Sequence, residues 1–193
     1  MPDPIEVWVR TLARAFHDDP LSEYMLLGGA QNERAQKHFW RGAISHAVRH
    51  GGEIHTSDSA AVAVWNAPGH WKWSVSDVVR STPRLMLAMG HRGLATLMGL
   101  QHIEAVHPAE PEHWYLSGLG TDPAEQGKGH GSAAIRPILD RCDREVVPAY
   151  LESSKEANIP FYERHGFRVT GEVRFGKRGP LIWPMWRDPQ PDG

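Results

Sequence analysis

One cysteine, Cys142, is all this chain offers for sulfur chemistry, so no internal disulfide can form. No run of about 18 apolar residues occurs, which removes a membrane-spanning helix. The start, Met1-Pro2-Asp3-Pro4, lacks the basic and apolar regions of a secretion signal. No charge of one sign dominates: the net charge is −2, with both signs interspersed, which argues against nucleic-acid and membrane partners. Repeats and low-complexity linkers are missing too. A cytoplasmic protein of one domain, residues 1–193, is expected, with 40% apolar residues to build its core.

What is present is glycine, gathered where it can do chemistry. Residues 122–132 read Asp-Pro-Ala-Glu-Gln-Gly-Lys-Gly-His-Gly-Ser, after the apolar stretch 114–119 and before a helical stretch at 133–142. A strand, a glycine-rich turn and a helix start offer unpaired N–H groups and the positive end of a helix dipole, a combination that binds phosphate. Gly127, Gly129 and Gly131 let the backbone approach a ligand and take positive φ where needed. The loop is not a nucleotide-triphosphate loop, because Lys128 is followed by Gly129 rather than Ser or Thr. Nor is it a dinucleotide fingerprint, because Ser132 stands where the third glycine belongs.

A second segment adds to the first. Residues 149–154 read as a short strand, followed by a helix in which Asn158 suits the N-cap, Pro160 the first turn and Gly166 the C′ position. Asn158 and Tyr162 stand four apart and share a helix face.

Gln126, Gly129 and Gly131 in Gln-x-x-Gly-x-Gly resemble motif A of the Gcn5-related N-acetyltransferases, the GNAT superfamily. Asn158-x-x-x-Tyr162-x-x-x-Gly166-Phe167 is similar to its motif B. With residues 10–16 and 61–65, these segments look like the puromycin N-acetyltransferase branch, closely over about 114–173, more loosely over 7–65 and poorly across the helices between. The resemblance implies acetyl-CoA as co-substrate. Its pantetheine would lie along Leu119, Gly120 and Thr121 like an added strand, reached also by Asn158. Its diphosphate would sit on the N–H groups of Gln126, Gly127, Lys128, Gly129, His130, Gly131 and Ser132. Tyr162 would lie beside the thioester sulfur.

The implied fold is α/β, a GNAT-like mixed sheet with helices on both faces. Only four residues precede the first helix, expected over 5–16, so the sheet is expected to lack its first edge strand or to have that edge covered by another segment or chain. Further helices are expected over 31–50 and 74–107. The second is a helical insert between the third and fourth strands of the family, with a break near Gly90 or Gly93 and core residues Leu85, Met89, Leu94, Leu97, Met98 and Ile103. A hairpin is expected over 53–66, and Pro137 should kink the helix after the glycine loop or start it afresh. Pro184 confines the last strand, 181–186, to an edge or a bulge. An open sheet edge of this kind is compatible with a homodimer.

For the chemistry, the N–H groups of Leu119 and Thr121 can polarise a thioester if Gly118 and Gly120 allow a bulged strand. Tyr162 is the candidate acid, a core aromatic being the alternative. Residues 114–121 hold no carboxylate, so Glu152 is the candidate base, against a structural Glu paired with Arg or backbone N–H. Lys128 either adds charge to the loop or is a solvated lysine. Among eight tryptophans, Trp65, Trp71 and Trp73 are the candidates for an aromatic acceptor pocket. His46 and His50 have ligand spacing, but no third ligand is placed, and a metal is rejected. The reading is a small-molecule amine N-acetyltransferase working by direct attack in a ternary complex. The alternatives are a protein or peptide N-acetyltransferase and a non-catalytic CoA-binding or sensing domain.

Overall fold

The computed structural model describes residues 3–190. Met1, Pro2 and residues 191–193, which the reading of the start and of the single domain includes, lie outside the described residues. Helix α1 (Pro4–Ala15) begins where the Asp3 side chain accepts from the Ile5 N–H, and it buries Val9, Leu12 and Ala13. The segment Asp18-Asp19-Pro20 does not only end that helix. Asp19 caps a short α2 (Pro20–Met25) that the sequence reading missed, with Pro20 preset for the first turn. Helix α3 (Glu33–Arg49) is capped by Asn32 and followed by Gly51 at φ +75°.

A hairpin of β1 (Glu53–Ser57) and β2 (Ala61–Asn66) leads to the insert: α4 (Val75–Met89), a 3₁₀ turn at Gly90–Arg92, and α5 (Gly93–Val106). The expected break is there, but Leu94, Leu97 and Met98 are 72%, 55% and 44% exposed and belong to no core. Then come β3 (Trp114–Thr121), α6 (His130–Glu145), β4 (Ala149–Ser153), α7 (Ile159–Glu163), β5 (Arg168–Val169), β6 (Val173–Arg174) and β7 (Leu181–Arg187). Helix α6 starts at His130, earlier than expected, and runs on through Pro137.

The sheet is mixed, with order β1-β2-β3-β4-β7-β5 and β6 beside β7. Among the described residues only β3 and β4 are parallel neighbours. Helix α6 covers one face with Ala61, Ala63, Trp65, Trp114, Leu116 and Leu151 beneath it, while α1 and α3 cover the other over Val62 and Val64. The expectation for Pro184 needs correcting. β7 is an interior strand between β4 and the β5–β6 pair. Pro184 O accepts from Thr170 N, so the side of Pro184 that lacks a donor faces β5 and β6. The partner is interrupted there, β5 matching Met185–Trp186 and β6 matching Leu181–Ile182. The proline thus offers no open edge for a second subunit; among the described residues the strand with a free edge on the other side is β1.

Candidate active site

The site begins with a parallel pair that comes apart. β3 and β4 are matched only over Trp114–Leu116 and Ala149–Leu151, so residues 117–121 have β2 on one side and no strand on the other. Asp122 N donates to Ala60 O beyond β2. Since successive N–H groups of a strand alternate in direction, those of Leu119 and Thr121 point into the opening, as expected, and that of Gly120 points to β2.

The bulge in β3 is at Ser117, between the matches Val64–Gly118 and Trp65–Leu116. It reverses the faces of the strand: Trp114 and Leu116 lie under α6, whereas a Cβ on Gly118 would meet Trp40 of α3 at 2.5 Å and one on Gly120 would meet Ala15 of α1 at 2.7 Å. The two glycines therefore serve the close approach of these helices, not the bulge itself.

At the end of β3 the loop turns through Gly127 (φ +77°) and Gly129 (φ +86°), both with open space where a Cβ would stand. Gly131 differs. It lies inside the first turn of α6, with Thr121 and Phe161 at 3.4–3.5 Å from a Cβ position. No side chain caps α6, because its N-cap is Gly129, and the first-turn N–H groups of His130, Gly131 and Ser132 remain for a ligand. Gln126 reaches Thr121 O at 3.4 Å, the His130 ring is 2.9 Å from Ser57 Oγ, and Lys128 is exposed and paired with Glu125 at 2.8 Å. Asn158 is at the head of α7 but in helical conformation, and it makes no capping bond, contrary to expectation. It lines the same cleft as Tyr162, Leu119 and Gly129, a cavity of about 1070 Å³ in all. Tyr162 is 8% exposed, and burial, with the Asp19 carboxylate second, holds its hydroxyl protonated well above the usual phenol range.

On the face of the sheet opposite α6, Glu152 accepts from the Tyr115 hydroxyl at 2.6 Å, and its other oxygen is 3.0 Å from His107 Nδ1. His107 Nε2 is 3.0 Å from His113 Nε2, and His113 Nδ1 is 2.9 Å from Pro111 O. A carbonyl only accepts, so His113 carries its proton on Nδ1. Burial pushes His113 down, leaving its ring neutral and Nε2 bare. His107 must then donate through Nε2. Its Nδ1 stands at hydrogen-bond distance from the Glu152 carboxylate, which ties the two side chains together. Trp71 stacks on His107 at 3.6 Å and 17°. Among the described residues the side-chain partners of Glu152 are Tyr115 and His107, neither an arginine nor a backbone N–H. His107 and Tyr115 were missed: Tyr115 hid in an apolar run, and nothing local marks a histidine at a helix end.

Trp71 and Trp73 line the cavity. Trp65 does not. It is fully buried beneath α6, and the next residue, Asn66, takes the cavity face, because a strand alternates with period two. Asn66 Oδ1 is buried without a hydrogen-bond partner among the described residues. His46 and His50 do meet a third group, Asp77 of α4, all within 4.8 Å. Asp77 is already engaged by His50 at 3.0 Å, Arg49 at 3.2 Å and the Ser74 hydroxyl at 2.6 Å, so the cluster ties α4 to α3.

Cys142 is on the sheet-facing side of α6, remote from this face, and burial pushes its thiol up to about 12. No helix of the described residues is long and apolar enough to cross a membrane.

The model of the acetyltransferase (GNAT) family matches residues 83–167. An uncharacterised N-acetyltransferase of Schizosaccharomyces pombe is 31% identical over 170 residues, covering 81% of this chain and 68% of that protein. The chain belongs to the GNAT acetyltransferase family. This GNAT protein is an N-acetyltransferase, and acetyl-CoA is the co-substrate of the family. N-alpha-acetyltransferase RimI of Mycobacterium tuberculosis is 30% identical over 102 residues, 52% of this chain and 65% of that protein. The GNAT fold is matched by an acetyltransferase structure from Corynebacterium glutamicum described as histone acetyltransferase HPA2 and related acetyltransferase, with TM-score 0.69 and 22% identity over 100% of this chain and 96% of that one. A polyamine N-acetyltransferase of Drosophila melanogaster gives TM-score 0.61 at 14% identity, over 92% and 90%. The likeness is to the family at large; nothing singles out the puromycin branch. An open strand edge, an uncapped helix start and two unobstructed glycines fit the pantetheine and diphosphate of the co-substrate.

Proposed function

We propose that the protein acetylates the primary amine of a small molecule by direct attack within a ternary complex, as a single domain in a cytosolic setting. The observation that carries this is the buried Glu152–His107 pair on the cavity face, beside the opening of β3 from β4 and beneath the α4–α5 cover. Acetyl-CoA supplies the acetyl group. The N–H groups of Leu119 and Thr121 hold its pantetheine and orient the carbonyl, with Asn158 alongside. The N–H groups of Gln126 through Ser132 take the diphosphate, Lys128 remaining in solvent with Glu125.

Glu152 keeps lone pairs beyond those used by Tyr115 and His107, so it receives the acceptor's ammonium and takes a proton from it, directly or through water. Tyr162 keeps its proton at neutral pH and holds it for the departing sulfur. Direct attack is supported by Cys142, whose buried thiol is neither ionised nor near the cleft. The puromycin branch supplies no acceptor, since the cavity wall comes from the segments where likeness to it is poor.

The test is thiol release with acetyl-CoA across aminoglycosides, aminonucleosides, amino acids, polyamines and simple amines. Coupled release with at least one small amine, and no acetyl label retained on denatured protein without acceptor, is expected. Retained label would refute direct attack. Similarity to the N-alpha-acetyltransferase RimI favours a protein N-terminus as acceptor. The helical cover argues against that reading, and a peptide array run beside the amine panel decides between them.

A further inference from the structure

The lining of the acceptor end points to the chemistry of the amine, on the basis of the small-amine reading above. Away from the glycine loop the α2–α5 side of the cavity wall is mostly apolar, with Met25 of α2, Phe39 of α3, Met89 of α4, Ile103 of α5 and Phe175 after β6, interrupted by polar groups such as His46, Thr96 and Gln101. Gly99 lets α5 lie directly on Phe175, where a Cβ would collide with the ring, so the apolar wall and its cover are fitted to each other. The lining then continues outward over Met86, Leu97 and Leu100, which are 60%, 55% and 46% exposed. Exposed apolar side chains continuous with a cavity mark a surface that a ligand covers.

Charge is scarce along the same path. Glu152, already in contact with His107 and Tyr115, has lone pairs left for one cation. Glu104, near the rim, is paired with Lys72 at 2.9 Å. Asp19 accepts from Ser22 N at 2.7 Å and from the Ser154 hydroxyl. One ammonium group can be received, at Glu152, with the unpartnered Asn66 Oδ1 on the same sheet face to accept a further N–H. A second ammonium would have to lie against hydrocarbon or displace Lys72, at the cost of an unpaired charge.

We propose that the acceptor is a monoamine whose amino group is borne on an elongated apolar body, alkyl or aromatic, that runs out beneath α4 and α5. The ammonium received at Glu152 first loses one proton through water to solvent; the amine nitrogen then forms the new amide bond as the thioester C–S bond breaks, the second proton goes to Glu152, and the thiolate takes one from Tyr162, which solvent returns.

The experiment is kcat/KM for the linear series from propylamine to octylamine, with spermidine and a short peptide alongside, read by thiol release. A rise of about two- to fourfold per methylene is expected, fourfold being the value for a fully buried CH₂. Leu97→Asp, at an exposed position the fold tolerates, should flatten that slope and raise the use of spermidine by giving its distal ammonium a counter-ion. Calorimetry of octylamine on the CoA complex should give a more negative heat capacity change than propylamine. Robust release with a flat or falling series, or with spermidine preferred, overturns the inference while leaving the small-amine reading intact. No release with any amine, on protein that binds CoA, overturns both.

Discussion

The two walls of the cleft are built by opposite means. The wall proposed for acetyl-CoA comes from one stretch, residues 119–132, and works through main-chain N–H groups: a strand edge, two left-handed glycines and an uncapped helix. The wall proposed for the acceptor works through side chains from many separate segments between Asp19 and Ile182. Backbone groups need only a local conformation, which glycine, proline and strand patterning specify. Side chains from distant segments meet only once the whole chain has folded. Substrate choice within one fold is therefore set by the second wall, and the first can stay the same.

The largest effect that would sharpen this contrast lies where the walls meet. Tyr162→Phe should lower kcat by about 10²–10⁴, with CoA affinity kept, as steady-state kinetics beside calorimetry would reveal. Glu152→Gln should cost about 10² in kcat/KM and bend the pH profile, since the amide cannot take a proton; an unchanged profile would move the base elsewhere.

Next comes the first wall. Gly129→Val places a β-branched residue at φ +86°, a strain of about 1–2 kcal/mol, and should weaken CoA binding about tenfold in a titration, with less change in acceptor KM. Equal losses on both substrates would break the division into walls.

The smallest concerns the acceptor cover. Asp77 ties α4 to α3, and the hydrogen bond from His50, then those from Ser74, hold its carboxyl well below the usual range despite burial. A depressed pKa stabilises the fold above the unfolded value, near 3.9, and that contribution is lost as pH falls further. Asp77→Ala should cost about 1 kcal/mol at neutral pH, measured by denaturant unfolding, should make stability less dependent on acid, and should raise acceptor KM more than CoA Kd.

Legibility followed the same division. The glycine loop, the strand before it and the segment Asn158 to Phe167 could be read because each is a local pattern with a local cause. Trp65 was misjudged by one residue: strand register gave the cavity to Asn66 and the core to the tryptophan. His107 carried no signal, because its meaning depends on Glu152 lying 45 residues later on a neighbouring element. Pro184 was misplaced because its missing donor is accommodated by a gap in a partner strand, not by an edge. Leu94, Leu97 and Met98 fit a helical stripe well enough, yet periodicity cannot tell a stripe that faces a core from one left exposed, and only Leu97 of the three lines the cleft.

By itself the sequence determined where the chain bends, which helix start is left without a cap and which strand precedes it, since these follow from φ preferences and hydrogen-bond capacity within a dozen residues. Only the tertiary structure decided which face each strand residue shows after the Ser117 bulge, which groups surround Glu152 and which side chains line the cavity. Those depend on distances between residues far apart in the chain, and packing alone fixes such distances.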